Sequence, residues 1–94
     1  MLARIATFNA GREQPEDRSD WVIEALAGTP GLRCAYHLQG RDGTRISLSV
    51  WDDSEATQEG ARRIRAAREA RGLESDPPDK EEFFEVVNEY RAAP

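Results

Sequence analysis

The 94-residue sequence predicts an α+β domain in which one four-stranded antiparallel sheet carries two helices, in the order β-α-β-β-α-β. Three observations carry this reading. Residues 32–39 and 44–51 alternate apolar and polar side chains on either side of Asp42-Gly43. Two stretches of helical periodicity, one ahead of Gly28 and one ahead of Gly72, separate the extended segments. Strand-like sequence also opens the chain and recurs after its last proline pair, Pro77-Pro78.

The first strand is expected over Leu2 to Ala10, where Ile5 and Phe8 lie in an Ala/Thr-rich segment that Asn9-Ala10-Gly11 brings to a stop. A polar run, Arg12 to Asp20, leads into the first helix. At 100° per residue Val22, Ala25 and Leu26 share a face with Trp21 and Ile23 at its margins, while Asp17, Asp20 and Glu24 lie opposite. Gly28 and then Pro30 end it.

In the second strand Leu32, Cys34, Tyr36 and Leu38 share one face, and Arg33, Ala35, His37 and Gln39 the other. Gly40-Arg41-Asp42-Gly43 supplies a tight hairpin, since Asp-Gly tolerates positive φ. The third strand, Thr44 to Trp51, sets Ile46, Leu48 and Val50 against Arg45, Ser47, Ser49 and Trp51. It runs through Ser49-Val50-Trp51-Asp52-Asp53-Ser54 into a helix with no Gly or Pro between. Asp52 with Glu55 three residues on makes a capping box, and Asp53 or Ser54 could serve as the cap instead. The second helix should reach about Arg71, with Gly72 at its end and Ala56, Gly60, Ile64 and Ala67 on its inward face. The acidic loop Glu74 to Asp79 breaks the periodicity, and a last strand, Glu82 to Tyr90, carries Phe84, Val86 and Tyr90 on one side.

This order is the ferredoxin-like split β-α-β arrangement, with both helices on one sheet face. The more apolar face, Leu32, Cys34, Tyr36, Leu38, Ile46, Leu48 and Val50, is expected to meet the helices. The other holds Arg33, His37, Arg45, Ser47, Ser49, Glu85 and Glu89, with Ala35, Trp51, Phe83 and Val87 among them. The whole chain, 1–94, reads as one domain without repeats, and a domain this small buries only about 60–65% of the surface its unfolded chain exposes.

Composition narrows the function classes. Charged residues make up 33% and hydrophobic ones 38%, and no apolar run nears the roughly 18 residues of a membrane helix. The start, MLARIATF, lacks the basic and apolar regions of a signal peptide, and the single cysteine, Cys34, suits a reducing compartment, so a cytoplasmic protein is expected. A net charge of −5 disfavours nucleic acid and anionic membrane surfaces as partners. Arg62, Arg63, Arg65, Arg68 and Arg71 spread around the second helix beside Glu55, Glu59 and Glu69, which describes a solvated face with Glu59-Arg63 pairing.

With its Pro30-Gly31 lead-in to the second strand, its Trp51-Asp52-Asp53-Ser54-Glu55-Ala56 junction and its closing Phe84-Glu85-Val86-Val87, the chain resembles the antibiotic biosynthesis monooxygenase-like family of the dimeric α+β barrel superfamily. The resemblance implies a homodimer packed sheet against sheet. It also implies one of several outcomes: cofactor-independent oxygenation of aromatic polyketides, haem degradation, or no catalysis. The haem-degrading relatives use a histidine on the second helix, and this chain has none there; Asn9 could match their first-strand asparagine but stands at the strand end. The lone histidine, His37, reads as a partly exposed strand residue. A Ser-His-acid triad would have to use His37, no Gly-rich phosphate loop with a Lys appears, and Cys34 has no second cysteine to help bind a metal, so no metal, flavin or haem cofactor is expected.

The reading that results is a homodimer that binds a small aromatic or polyketide-like molecule and oxidises it without a cofactor, an oxidoreductase whose catalytic residues the sequence leaves unassigned. The alternative is a non-enzymatic binding or accessory module with a vestigial pocket. The small inward face of the second helix either packs closely or leaves a cavity for a flat molecule; Asn9, Trp21, Tyr36, Gly60, Ile64 and Ala67 are the candidate ligand residues. Arg33, Arg45, Trp51, Phe83, Glu85, Val87 and Glu89 are the candidate dimer interface, with the arginines available to pair with Glu85 and Glu89. Trp51 itself is read either as a shield at the strand end or as a pocket wall.

Overall fold

In the computed structural model, which describes residues 1–12 and 18–93, the chain forms β1 (Leu2–Phe8), α1 (Arg18–Leu26), β2 (Leu32–Gln39), β3 (Arg45–Trp51), α2 (Ser54–Ala70) and β4 (Lys80–Glu85). Most of the polar run ahead of α1, Asp17 included, lies outside the described residues. The sheet order is β2-β3-β1-β4 with every neighbouring pair antiparallel, the expected ferredoxin-like arrangement. No helix among the described residues is long and apolar enough to cross a membrane.

Local chemistry explains the boundaries. In the hairpin, Gly43 takes φ +91°, and the Asp42 carboxylate accepts the Thr44 N–H at 2.9 Å. That bond, the largest influence on Asp42, holds its carboxyl below the usual range. Asp53, in an extended conformation, is the α2 cap and accepts from Ala56 N at 2.9 Å. Asp52 instead pairs with Arg33 at 2.7 Å. Pro30-Gly31 is explained by close approach: Gly31 has φ +84°, and a Cβ there would stand 2.6 Å from that of Ala56. β4 ends at Glu85 rather than Tyr90 because β1 runs out: Leu2 pairs with Glu85, and Val86 N donates to Met1 O at 2.9 Å as the last rung.

The assignment of sheet faces must be reversed. Register puts Arg4, Ala6 and Phe8 on the same face as Ser47, Ser49 and Trp51, with Ala35 and His37 of β2 and Phe83 of β4 beside them. This is the helix-covered face: Trp51 is 3% exposed and forms one core cluster with Trp21, Val22, Leu26 and Ala56, on which Leu32, Ala35, Ile64 and Ala67 pack. The opposite face carries Ile5, Cys34, Tyr36, Leu38, Leu48, Val50 and Phe84 and has no helix over it. Tyr36 is 56% exposed, Leu38 45% and Phe84 49%. Alternation separates two faces without saying which one the helices cover, and the covered face is the more polar because it surrounds a cavity rather than a filled core.

The placement of the expected interface residues changes with it. Arg45, Trp51, Phe83 and Glu85 lie on the helix side, and Trp51 is too deeply buried to meet another chain. Arg33, at an irregularity between Leu32 and Cys34, is engaged by Asp52. Glu85 pairs with the N-terminal amine and Glu89 with Arg91, each at 3.3 Å, and Val87 stands 91% exposed beyond β4.

Candidate functional site

Between α2 and the covered sheet face lies a cavity of about 650 Å³. Its sheet side is made by Phe8, His37, Ser49 and Trp51, its helix side by Gly60, Ile64, Arg65 and Arg68, and one end by Asp76, Pro77 and Pro78. Such a volume lies within the range of small-molecule sites, about 300–1,000 Å³.

Trp51 is the centre of the construction. Its indole lies directly beneath Gly60, where a Cβ would come within 2.2 Å of the ring, and its Nε1 donates to Ser49 Oγ at 2.8 Å. The bond satisfies a buried donor and fixes the ring as a wall. The abrupt strand-to-helix junction therefore brings α2 back over the tryptophan that immediately precedes it. On the far side of the sheet face, Arg4 of β1 pairs with Glu81 of β4 at 2.6 Å.

Arg12 braces the residues at one end, Asp76 and Pro77, from outside the lining. Its guanidinium stands 5.2 Å over the Phe8 ring, pairs with Asp76, reaches Asp79 at 3.0 Å and donates to Pro77 O at 2.9 Å. Asp79 also accepts the Asn9 N–H at 2.7 Å and returns its own N–H to Thr7 O at 2.9 Å. The Asn9 N–H, then Arg12, hold the Asp79 carboxyl below its ordinary range, and Asp79 in turn raises Arg12.

Of the six expected ligand residues, Gly60 and Ile64 line the cavity. Trp21 is buried in the core under the 5.6 Å approach of Arg71, and Ala67 packs on that core; neither lines the cavity. Asn9 is exposed and contributes its backbone N–H to Asp79. Tyr36 faces away, on the uncovered side, as does Phe84, so neither can pack under α2. Sequence reasoning missed Ser49, Arg65 and Arg68 as site residues. The shared strand parity of His37, Ser49 and Trp51 was the available signal.

This ferredoxin-like chain, with a walled cavity between its second helix and its sheet, shares its fold with solved structures of antibiotic biosynthesis monooxygenase type. The chain superposes on SnoaB, a cofactor-independent oxygenase from Streptomyces nogalater, at TM-score 0.65 and 17% identity, covering 94% of each chain. A monooxygenase from Streptomyces coelicolor in complex with nanaomycin D gives TM-score 0.61 and 21% identity over 98% of this chain and 92% of that one. A variant of MhuD with two manganese protoporphyrin IX molecules per active site gives 0.74 and 20% over 97% and 98%. No family model matches the chain, and no curated protein does.

A porphyrin of the kind bound by MhuD would find a poor ligand set here. α2 offers no His, Cys, Met or Tyr, and among the cavity-lining residues His37 alone could reach an iron, from the sheet rather than the helix.

Proposed function

We propose that the protein binds a planar aromatic or polyketide-like molecule in this cavity and oxidises it with dioxygen, without metal or flavin, in a reducing compartment such as the cytoplasm. The single observation that carries the reading is the cavity itself, with Trp51 held rigid by Gly60 and Ser49 as a flat wall and Phe8 nearby. A cofactor-free oxygenation asks the protein to orient an ionisable aromatic substrate, exclude water and stabilise the anion formed when a proton leaves. The Ser49 hydroxyl, already accepting from Trp51, keeps its hydrogen for such an oxyanion. His37 is the lining group that would take the proton.

A dihydroxyanthrone tests this. Its central methylene loses two hydrogens, one atom of dioxygen becomes the new carbonyl, and the other leaves as water. Oxygen uptake and quinone formation should rise above the uncatalysed background and fall in His37→Gln. Binding without oxygen uptake would favour the non-enzymatic module instead.

The same reading includes a homodimer, centred on the uncovered face and keeping only Val87 of the residues first expected. Ile5, Cys34, Tyr36, Leu38, Leu48 and Phe84 would form its centre. The apolar side chains beyond β4, Val87 and Tyr90, both about nine-tenths exposed, could reach a second copy.

A further inference from the structure

We propose that the cavity selects organic anions, an aromatic carboxylate above all; this rests on the cavity being a ligand site. The chain as a whole carries a net charge of −5, yet its arginines are distributed in a particular way. Several of those away from the cavity are neutralised: Arg62 and Arg63 by Glu59 at 2.7 and 3.4 Å, Arg33 by Asp52 at 2.7 Å. Among the arginines whose side chains are described, those without an ion-pair partner are Arg41, at the exposed hairpin tip, and Arg45, Arg65 and Arg68, all three of which line the cavity. The two lining carboxylates do not offset them, because Glu81 is held by Arg4 and Asp76 by Arg12.

Arg65 and Arg68 stand one turn apart on α2, while Arg45 opens β3 opposite Phe8 in the sheet register. Like charges gathered around a partly enclosed space repel one another, and that repulsion is relieved only when an anion enters. Guanidinium groups also match a carboxylate with two parallel N–H donors, which an alcohol or amide cannot use. The apolar walls at Phe8 and Trp51 would receive the ring system, and the arginines its carboxylate.

Naphthoate and its uncharged isostere naphthamide separate the outcomes, measured by calorimetry on the full chain. Naphthoate should bind about tenfold more tightly than naphthamide at low ionic strength, and added salt should weaken the acid alone. The double variant Arg65→Gln/Arg68→Gln should lose about tenfold in naphthoate affinity and leave naphthamide within about twofold, since both side chains lie on α2 and glutamine is a good helix former. Circular dichroism melting checks that the variant folds, and the salt response of the parent needs no variant at all. Equal affinity for acid and amide, or an equal loss of both in the variant, overturns the anion selection while leaving the cavity as a binding site. Binding of neither probe removes the site and this inference together.

Discussion

Gly60 and Trp51 form a lock: a Cβ on the glycine would stand 2.2 Å from indole Cη2 and 2.8 Å from Cζ3. Helix α2 thus approaches the sheet to a distance that only glycine permits at that point. A glycine inside a helix costs about 1 kcal/mol against alanine, and here the cost accompanies the burial of a tryptophan. Gly60→Leu should therefore destabilise the fold, by about 1–3 kcal/mol from overpacking even after the gain in helix propensity. Gly60→Ala should destabilise as well, and combining it with Trp51→Phe, which shortens the ring system at the clash, should cost less than the two single changes added together. Urea denaturation of the two single variants and the double gives the coupling directly; additivity would show that the two residues do not share the space.

The uncovered sheet face predicts association. Light scattering on a sizing column should report twice the chain mass at micromolar concentration. Leu38→Glu should shift the protein to monomer without unfolding it, since that side chain is 45% exposed within a single chain. Cys34, on the same face, should then react faster with a thiol reagent in the variant than in the parent. A parent that runs as a monomer at every concentration would sink the sheet-to-sheet dimer.

Acid should loosen the loop that Arg12 holds at one end of the cavity. The Asn9 N–H and the Arg12 guanidinium lower the Asp79 pKa in the folded chain, so the group contributes stability above the usual carboxylate range and loses that contribution as pH falls through its folded value. The contribution is therefore intact at neutral pH and disappears at strongly acid pH. The Asn9 amide resonance should titrate with a midpoint below the ordinary aspartate value, and Asp79→Asn should abolish that titration. A midpoint at the ordinary value would mean that the clamp does not form in solution.

The fold was legible because its evidence is local. Strand alternation around Asp42-Gly43, the stop at Gly28 and the caps of α2 each act within a few residues, and each fell close to where the sequence pointed. The site was less legible because it depends on which face of the sheet the helices cover. Leu48 and Val50 outrank Ser49 and Trp51 in hydropathy, so the usual rule sends them inward. The rule fails where a covered face must keep polar groups such as Ser49 and His37 around a hollow. Gly60 was correctly placed on the inward face of α2, but the volume its missing side chain leaves is filled by Trp51, a residue nine positions earlier that alternation alone had assigned to the opposite side of the sheet.

Tryptophan fluorescence should report where a ligand sits. Trp51 lines the cavity and Trp21 does not, although both are buried and belong to one core cluster. A planar phenol or naphthoate entering the cavity would contact the Trp51 ring directly and quench it, while Trp21 would change little. In Trp51→Phe the quenching should therefore largely vanish, and in Trp21→Phe it should persist. Both substitutions remove buried ring volume and so destabilise; Trp51→Phe also loses the bond to Ser49, worth about 0.5–1.5 kcal/mol, so the titrations belong well below each variant's melting temperature. A ligand that binds the uncovered sheet face instead would reach neither indole and leave both emissions unchanged. Quenching that survives in Trp51→Phe and disappears in Trp21→Phe would place the ligand on the α1 side of the core, and the cavity walled by Trp51 would then not be the binding site.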